Sequence, residues 1–159
     1  MRRTTLHTLR QIYAFRCGYC GVSETDAGAT LTVDHFQPRA AQGADSLENL
    51  VYCCHACPAF KGDYWNPEAV ERVLHPLNDG LETHLQEAVD GQVVGLTPTG
   101  VFHVEKLWLN RPALVAYRAE KRRLTRVTGA IEEIFELLER IERRVLTIEN
   151  QLTEWRVPE

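Results

Sequence analysis

No stretch of this 159-residue chain is long and apolar enough to cross a bilayer, and nothing resembling a signal peptide follows Met1-Arg2-Arg3-Thr4-Thr5. The expectation is therefore a cytoplasmic protein. An excess of positive charge is lacking too. With 18 Lys and Arg against 22 Asp and Glu, the net charge is −4, so bulk charge does not mark a nucleic-acid binder and its distribution matters more. Residues 1–65 are balanced at six basic and six acidic groups, residues 66–110 carry two and seven, and residues 111–159 carry ten and nine. Within the last part, Arg118, Lys121, Arg122, Arg123 and Arg126 stand against Glu120 alone, either as a patch for phosphate or as a solvated helix face. Low-complexity tracts are absent, and the length suits one domain, or one domain with a helical extension, around a modest core.

Cysteine, by contrast, is present and patterned. Of five cysteines, four form two Cys-x-x-Cys pairs, Cys17 with Cys20 and Cys54 with Cys57. In a cytoplasmic chain such paired spacing favours one closed tetrahedral zinc site over disulfides, with a redox pair as the alternative. Gly18 and Gly21 permit the tight turn that aims two thiolates at one metal. Cys53 faces away from its neighbour Cys54 on an extended strand and reads as a small core residue.

The pattern predicts an α+β chain. Leu6, Leu9, Ile12, Tyr13 and Phe15 give a short N-terminal helix, and Ser23 to Ala29 a polar loop. Leu31-Thr32-Val33 reads as a strand ending at Asp34, and Leu50-Val51-Tyr52 as a second strand able to pair with it. Pro58 suits a first helical position. Residues 67–74 suggest one or two helical turns, and residues 75–91 an irregular acidic stretch. Gln92 to Leu96 and Val101 to Val104 read as a hairpin around Thr97-Pro98-Thr99-Gly100. A helix follows from Pro112 to about Thr128, punctuated by Gly129. Beyond it, Val127, Ile131, Ile134, Leu138, Ile141, Val145, Ile148, Leu152 and Trp155 alternate steps of four and three, a heptad seam flanked by Glu and Arg. Such a seam should be buried, against the Pro112–Thr128 helix, a second copy or another protein.

The chemistry lies between Val33 and Gly62. Asp34-His35 at a strand end sets an oxygen ligand beside an imidazole, as a site that holds a divalent ion and activates water requires. Asp34-His35-x-x-Pro38, then Asn49-Leu50, then Cys54-x-x-Cys57 with Lys61-Gly62-Asp63 behind, resembles the HNH endonucleases, of the zinc-containing ββα-metal (His-Me finger), McrA-like bacterial kind. The resemblance covers roughly residues 15–65; Leu96 to Gly100 and Leu107 to Pro112 are also similar to the downstream portion of bacterial members.

That resemblance implies a ββα-metal domain stapled by zinc on Cys17, Cys20, Cys54 and Cys57, and cleavage of DNA. His35 would be the general base, Asp34 a ligand of one Mg²⁺ or Mn²⁺ ion, and Asn49 the residue that holds the loop and orients His35. Arg39 and Lys61 would be phosphate contacts, each with a surface role as the alternative. The family pattern places Asn or His directly after the last zinc cysteine as the second metal ligand, and here Pro58 offers no donor atom. His55 or Asp63 would have to replace it, or metal binding is impaired, or Pro58 is a deliberate inactivation of the nuclease. The expected organisation is a nuclease core over 1–66, an acidic linker region and β-hairpin over 67–110, and a helical region with the seam over 111–159. Rival readings are a catalytically silent zinc-held DNA-binding module, and a nuclease subunit of a larger assembly with a partner such as an ATPase, docked through a homodimer or partner helix at 127–155.

Overall fold

A computed structural model of the chain describes residues 3–154. Helix α1 (Arg3–Ile12) buries Leu9 completely, and Tyr13 just beyond it nearly so. The helix is stopped by Ala14 and Phe15, consecutive non-glycine residues at φ 48° and 59°. That reversal turns the first cysteine pair inward. The backbone there lies so close to the core that a Cβ on Gly18 would stand 2.6 Å from the Tyr13 ring, so this glycine is required for proximity.

The expected polar loop contains a turn of helix, α2 (Glu24–Ala27), closed by a reciprocal capping box between Ser23 and Asp26. Four residues are too few to show helical periodicity. Glu24 receives a bidentate pair from Arg10 at 2.7 and 2.6 Å and the Tyr52 hydroxyl proton, while Leu31 N–H donates to that hydroxyl at 2.8 Å. This polar knot ties both helices to the sheet.

Strand β1 (Thr32–His35) pairs antiparallel with β2 (Leu50–Cys53), with Asp34 opposite Val51 and His35 opposite Leu50. All of β2 is buried, Cys53 included. Helix α3 (Ala56–Lys61) follows, completing a ββα unit. Pro58 is its third residue rather than its first; this is still within the turn whose N–H groups have no intrahelical acceptor, so proline is tolerated there.

Residues 67–74 form turns and extended chain instead of the expected helix. Leu74 N–H is spent on Nδ1 of the buried His103 at 2.9 Å. A short helix α4 (Leu81–His84) leads into β3 (Leu85–Glu87), which pairs antiparallel with β4 (Val93–Gly95). The hairpin thus uses β3, not residues 101–104. Those belong to α5 (Pro98–Lys106), where Thr97 Oγ1 accepts from Gly100 N–H at 3.0 Å and Pro98 takes the first position. A Cβ on Gly100 would stand 2.1 Å from the His84 carbonyl oxygen, so glycine lets α5 sit against the hairpin.

A single 43-residue helix, α6 (Pro112–Glu154), replaces the expected pair. Gly129 lies inside it, where glycine costs only about 1 kcal/mol relative to Ala. The first turns of α6 dock: Leu114 is buried, and the buried Arg118 donates to the carbonyls of Gly91 and Leu109, both at 2.6 Å. Lys121 lies 3.6 Å from Asp26, Arg122 2.5 Å from Glu87 and Arg123 2.8 Å from Glu120. The local basic patch is therefore largely spent inside the chain. Beyond it the seam is not buried: Ile131, Leu138 and Val145 are 46%, 49% and 46% exposed. A continuous helix cannot fold its first half onto its second, so burial within the chain is excluded. Trp155 lies outside the described residues. No helix among those described is long and apolar enough to cross a membrane.

Candidate active site and metal centre

The two cysteine pairs converge. The turn after α1 supplies Cys17 and Cys20, and the end of β2 with the start of α3 supplies Cys54 and Cys57, all four Sγ atoms lying within 4.8 Å of one another. Cys20 to Cys54 is 3.7 Å and Cys54 to Cys57 is 3.5 Å. Four thiolates about 2.3 Å from one zinc would stand about 3.8 Å apart at tetrahedral angles. The donor set thus fits zinc in chemistry and spacing. Hydrogen bonding among the crowded sulfurs pushes the Cys17 and Cys57 thiols up and those of Cys20 and Cys54 down. Such a cluster calls for a cation.

Arg111, in the turn before α6, supplies one from outside. Its Nη2 lies 3.8, 4.0 and 3.9 Å from the sulfurs of Cys20, Cys54 and Cys57. The sequence reading attached no role to it.

At the end of β1, Asp34 is mostly buried, and its Oδ2 accepts from the Tyr19 hydroxyl at 2.8 Å. The same oxygen lies 3.1 Å from Lys61 Nζ. Lys61 is 1% exposed and also donates to the His35 carbonyl at 2.9 Å. It is placed inside, neutralising Asp34, rather than on the surface towards a phosphate. Burial, with Asp34 beside it, pushes the Tyr19 hydroxyl well above its ordinary pKa, so it remains a donor.

His35 keeps its ring partly exposed, with Nε2 2.5 Å from Asp45 Oδ1. The same Nε2 is the atom that Arg39 Nε approaches, and in the tautomer that carries its proton on Nε2 towards Asp45 the ring leaves Nδ1 to accept. Arg39, exposed, donates to Asp45 through Nη2 at 2.8 and 3.0 Å and brings Nε within 3.3 Å of the His35 ring. Hydrogen bonding from His35 and then Arg39 holds the Asp45 carboxyl below its usual range. Sequence reasoning missed Asp45, which sits in a small-residue loop without motif spacing.

Asn49 explains how that loop is held. Its Oδ1 accepts from Gln37 N–H at 2.8 Å, and its Nδ2 donates to the carbonyls of Gln37 and Ala44 at 3.0 and 2.9 Å. The side chain spans the base of the segment bearing Arg39 and Asp45. Asp34, His35, Arg39 and Lys61 line a cleft of about 210 Å³ with Pro38 and Asp63, and His35 and Arg39 also border a neighbouring groove of about 790 Å³.

No second cluster of this kind gathers around Asp34. Among the described residues the four cysteines are the one gathering of three or more Cys, His, Asp or Glu groups able to hold an ion. His55 is exposed at the start of α3, Asp63 is exposed, and neither joins Asp34 in such a cluster. Pro58 contributes no donor, and one oxygen of Asp34 is already committed to Tyr19 and Lys61. These residues do not fit an ion gripped by two protein side chains.

The ββα unit, Asp34-His35 at its first strand end and the four-sulfur cluster beside its helix all fall within one stretch of the chain. Residues 17–63 match the family model described as HNH endonuclease, and the chain carries an HNH domain over that stretch. No curated protein and no solved structure matches the chain.

Proposed function

We propose that this chain is an HNH endonuclease acting on DNA, with zinc on Cys17, Cys20, Cys54 and Cys57 holding the frame and His35 carrying the chemistry. The observation that supports this most is the His35 ring itself, mounted at a strand end beside a cleft, with one nitrogen tied to Asp45 and the other free. Water in the cleft gives its proton to Nδ1. The resulting hydroxide oxygen bonds to phosphorus, the bond from phosphorus to the leaving sugar oxygen breaks, and that oxygen takes a proton from solvent. Asp45 fixes the tautomer and stabilises the imidazolium that forms, Asn49 holds the loop, and Arg39 can leave Asp45 to meet a phosphate oxygen. Lys61 acts indirectly, by holding Asp34 and the His35 carbonyl in place.

The resemblance carries a divalent ion, Mg²⁺ or Mn²⁺, onto Asp34, where it would stabilise developing phosphate charge. With Pro58 in the sequence and Lys61 on the carboxylate, we expect Mg²⁺ binding to be weak and cleavage slow. The same two observations favour a second reading, a silent zinc-held module that binds DNA without cutting it. Supercoiled plasmid incubated with the zinc-loaded chain in Mg²⁺ or Mn²⁺ separates them. Nicking that falls by about 10²-fold or more in His35→Ala supports the nuclease. Binding without nicking under every ion supports the module. We further propose that the chain works in self-associated form through residues 127–155, with DNA as the other partner.

A further inference from the structure

We propose that the distal part of α6 forms a parallel, in-register bundle of more than two copies of this chain, carrying the HNH domains side by side at one end. This rests on the self-association proposed above and specifies its direction and number. From Arg123 to Leu152 no residue is buried, and all but Gly129 are exposed. At 1.5 Å per residue that is roughly 45 Å of helix with no partner in its own chain. An isolated helix draws most of its stability from packing of an apolar face, and this one has a continuous face to offer.

The face is built for its own kind. Ile131, Leu138, Val145 and Leu152 fall at the a positions of a heptad, with Val127, Ile134, Ile141 and Ile148 at d. Glu132, Glu133, Glu136, Glu139, Arg140 and Arg143 occupy the opposite side, where Leu146 is the apolar exception, so the continuous apolar stripe is the one that seeks cover.

The flanking charges set the direction. Parallel, in-register packing brings a g residue of one helix to the e residue five further along its neighbour. In a bundle of three or four that sets Arg144 of each helix beside Glu149 of the next at every interface, and within the chain neither enters an ion pair among the described residues. An antiparallel arrangement sets e against e, pressing Glu142 and Glu149 of one copy towards those of the other.

The seam residues set the number. Every d position from Val127 to Ile148 is β-branched, and Leu or Ile occupies most a positions, a combination that disfavours two strands and favours three or four. Phe135 at e and Leu137 at g, 62% and 52% exposed, widen the stripe beyond what two helices cover.

Sedimentation of the full zinc-loaded chain should give a mass three or four times 18.1 kDa. A monomer or a dimer at micromolar concentration would overturn the proposal. Oxidation of an Ile148→Cys variant tests direction, because equal positions meet only in the parallel arrangement: crosslinked chains absent from the oxidised parent are expected, and an assembly that does not crosslink would be antiparallel and overturn it. Ile134→Asp/Ile141→Asp should give monomers with zinc content unchanged, since neither residue touches the HNH domain. If the assembly survives that change, the seam is not its interface. Plasmid nicking in the monomeric variant reports separately on the nuclease reading, which can stand or fall without the bundle.

Discussion

The two candidate metal centres lie on one ββα unit and differ in completeness. The cysteine cluster draws two sulfurs from each of two turns, at spacings that already suit zinc, with Arg111 balancing the charge. The Asp34 centre depends on one carboxylate and on the position occupied by Pro58, and a lysine shares that carboxylate. A structural site and a reactive site on one scaffold can thus be disturbed separately. Proline in the first turn of α3 offers no donor and leaves the helix intact, so on the proposed reading the zinc frame should persist while the reactive ion is held weakly.

Removing zinc should give the largest effect. In Cys57→Ser, or on chelation, we expect loss of cooperative thermal unfolding and of the circular-dichroism signature of the HNH domain, because zinc binding supplies folding free energy directly. An unchanged melting curve would show that the cluster is ornamental. Lys61→Met comes next. It strands a mostly buried carboxylate, and denaturant titration should show a loss of about 3 kcal/mol, which Asp34→Asn in the same chain should largely restore. Without that rescue, the pair is not what holds β1 to α3.

The pH dependence distinguishes the second half of the fold from the first. Burial pushes His103 down to about 4, so the folded chain holds it neutral while the unfolded chain protonates it at its ordinary value of 6.5. The unfolded state therefore binds more protons between these values. Its contribution is fully present above pH 6.5 and is lost as pH falls towards 4, on the order of 3 kcal/mol in all. A His103→Gln variant should lose that part of the slope in urea titrations at successive pH values. Arg111→Met should have the smallest effect, weakening zinc by about tenfold through its contact with three ligand sulfurs, measured by competition with a chromogenic chelator.

How much could be read beforehand follows the same division. Cysteine spacing and the two strands are local signals, and they stand in the structure; the heptad repeat lies on one helix, but the burial expected of it is not found within the chain. The placement of Val101 to Val104 does not, because a β-branched, aromatic run outweighed the Thr97-Pro98 helix start when read without its neighbours. Gly129 reads as a stop in the sequence, yet a long helix absorbs it. Lys61 is legible as a motif residue but its burial is not, since one lysine among six basic residues of the first part gives no sign of it; Asp45 leaves no mark at all, because it meets His35 through the loop that Asn49 holds. Spacing in sequence reveals residues that share one turn, whereas partners brought together by the tertiary fold leave no such trace.

The most direct measurement is cleavage of supercoiled plasmid in Mg²⁺ by the parent and by Pro58→Asn, with Mg²⁺ binding followed by calorimetry. We expect the variant to bind Mg²⁺ more tightly and cut faster, by about tenfold or more for one restored ligand, with zinc content and melting temperature nearly unchanged and with cleavage abolished when His35→Ala is added. Efficient Mg²⁺-dependent cutting by the parent, unaltered by Pro58→Asn, would contradict the incomplete centre and place the missing ligand elsewhere.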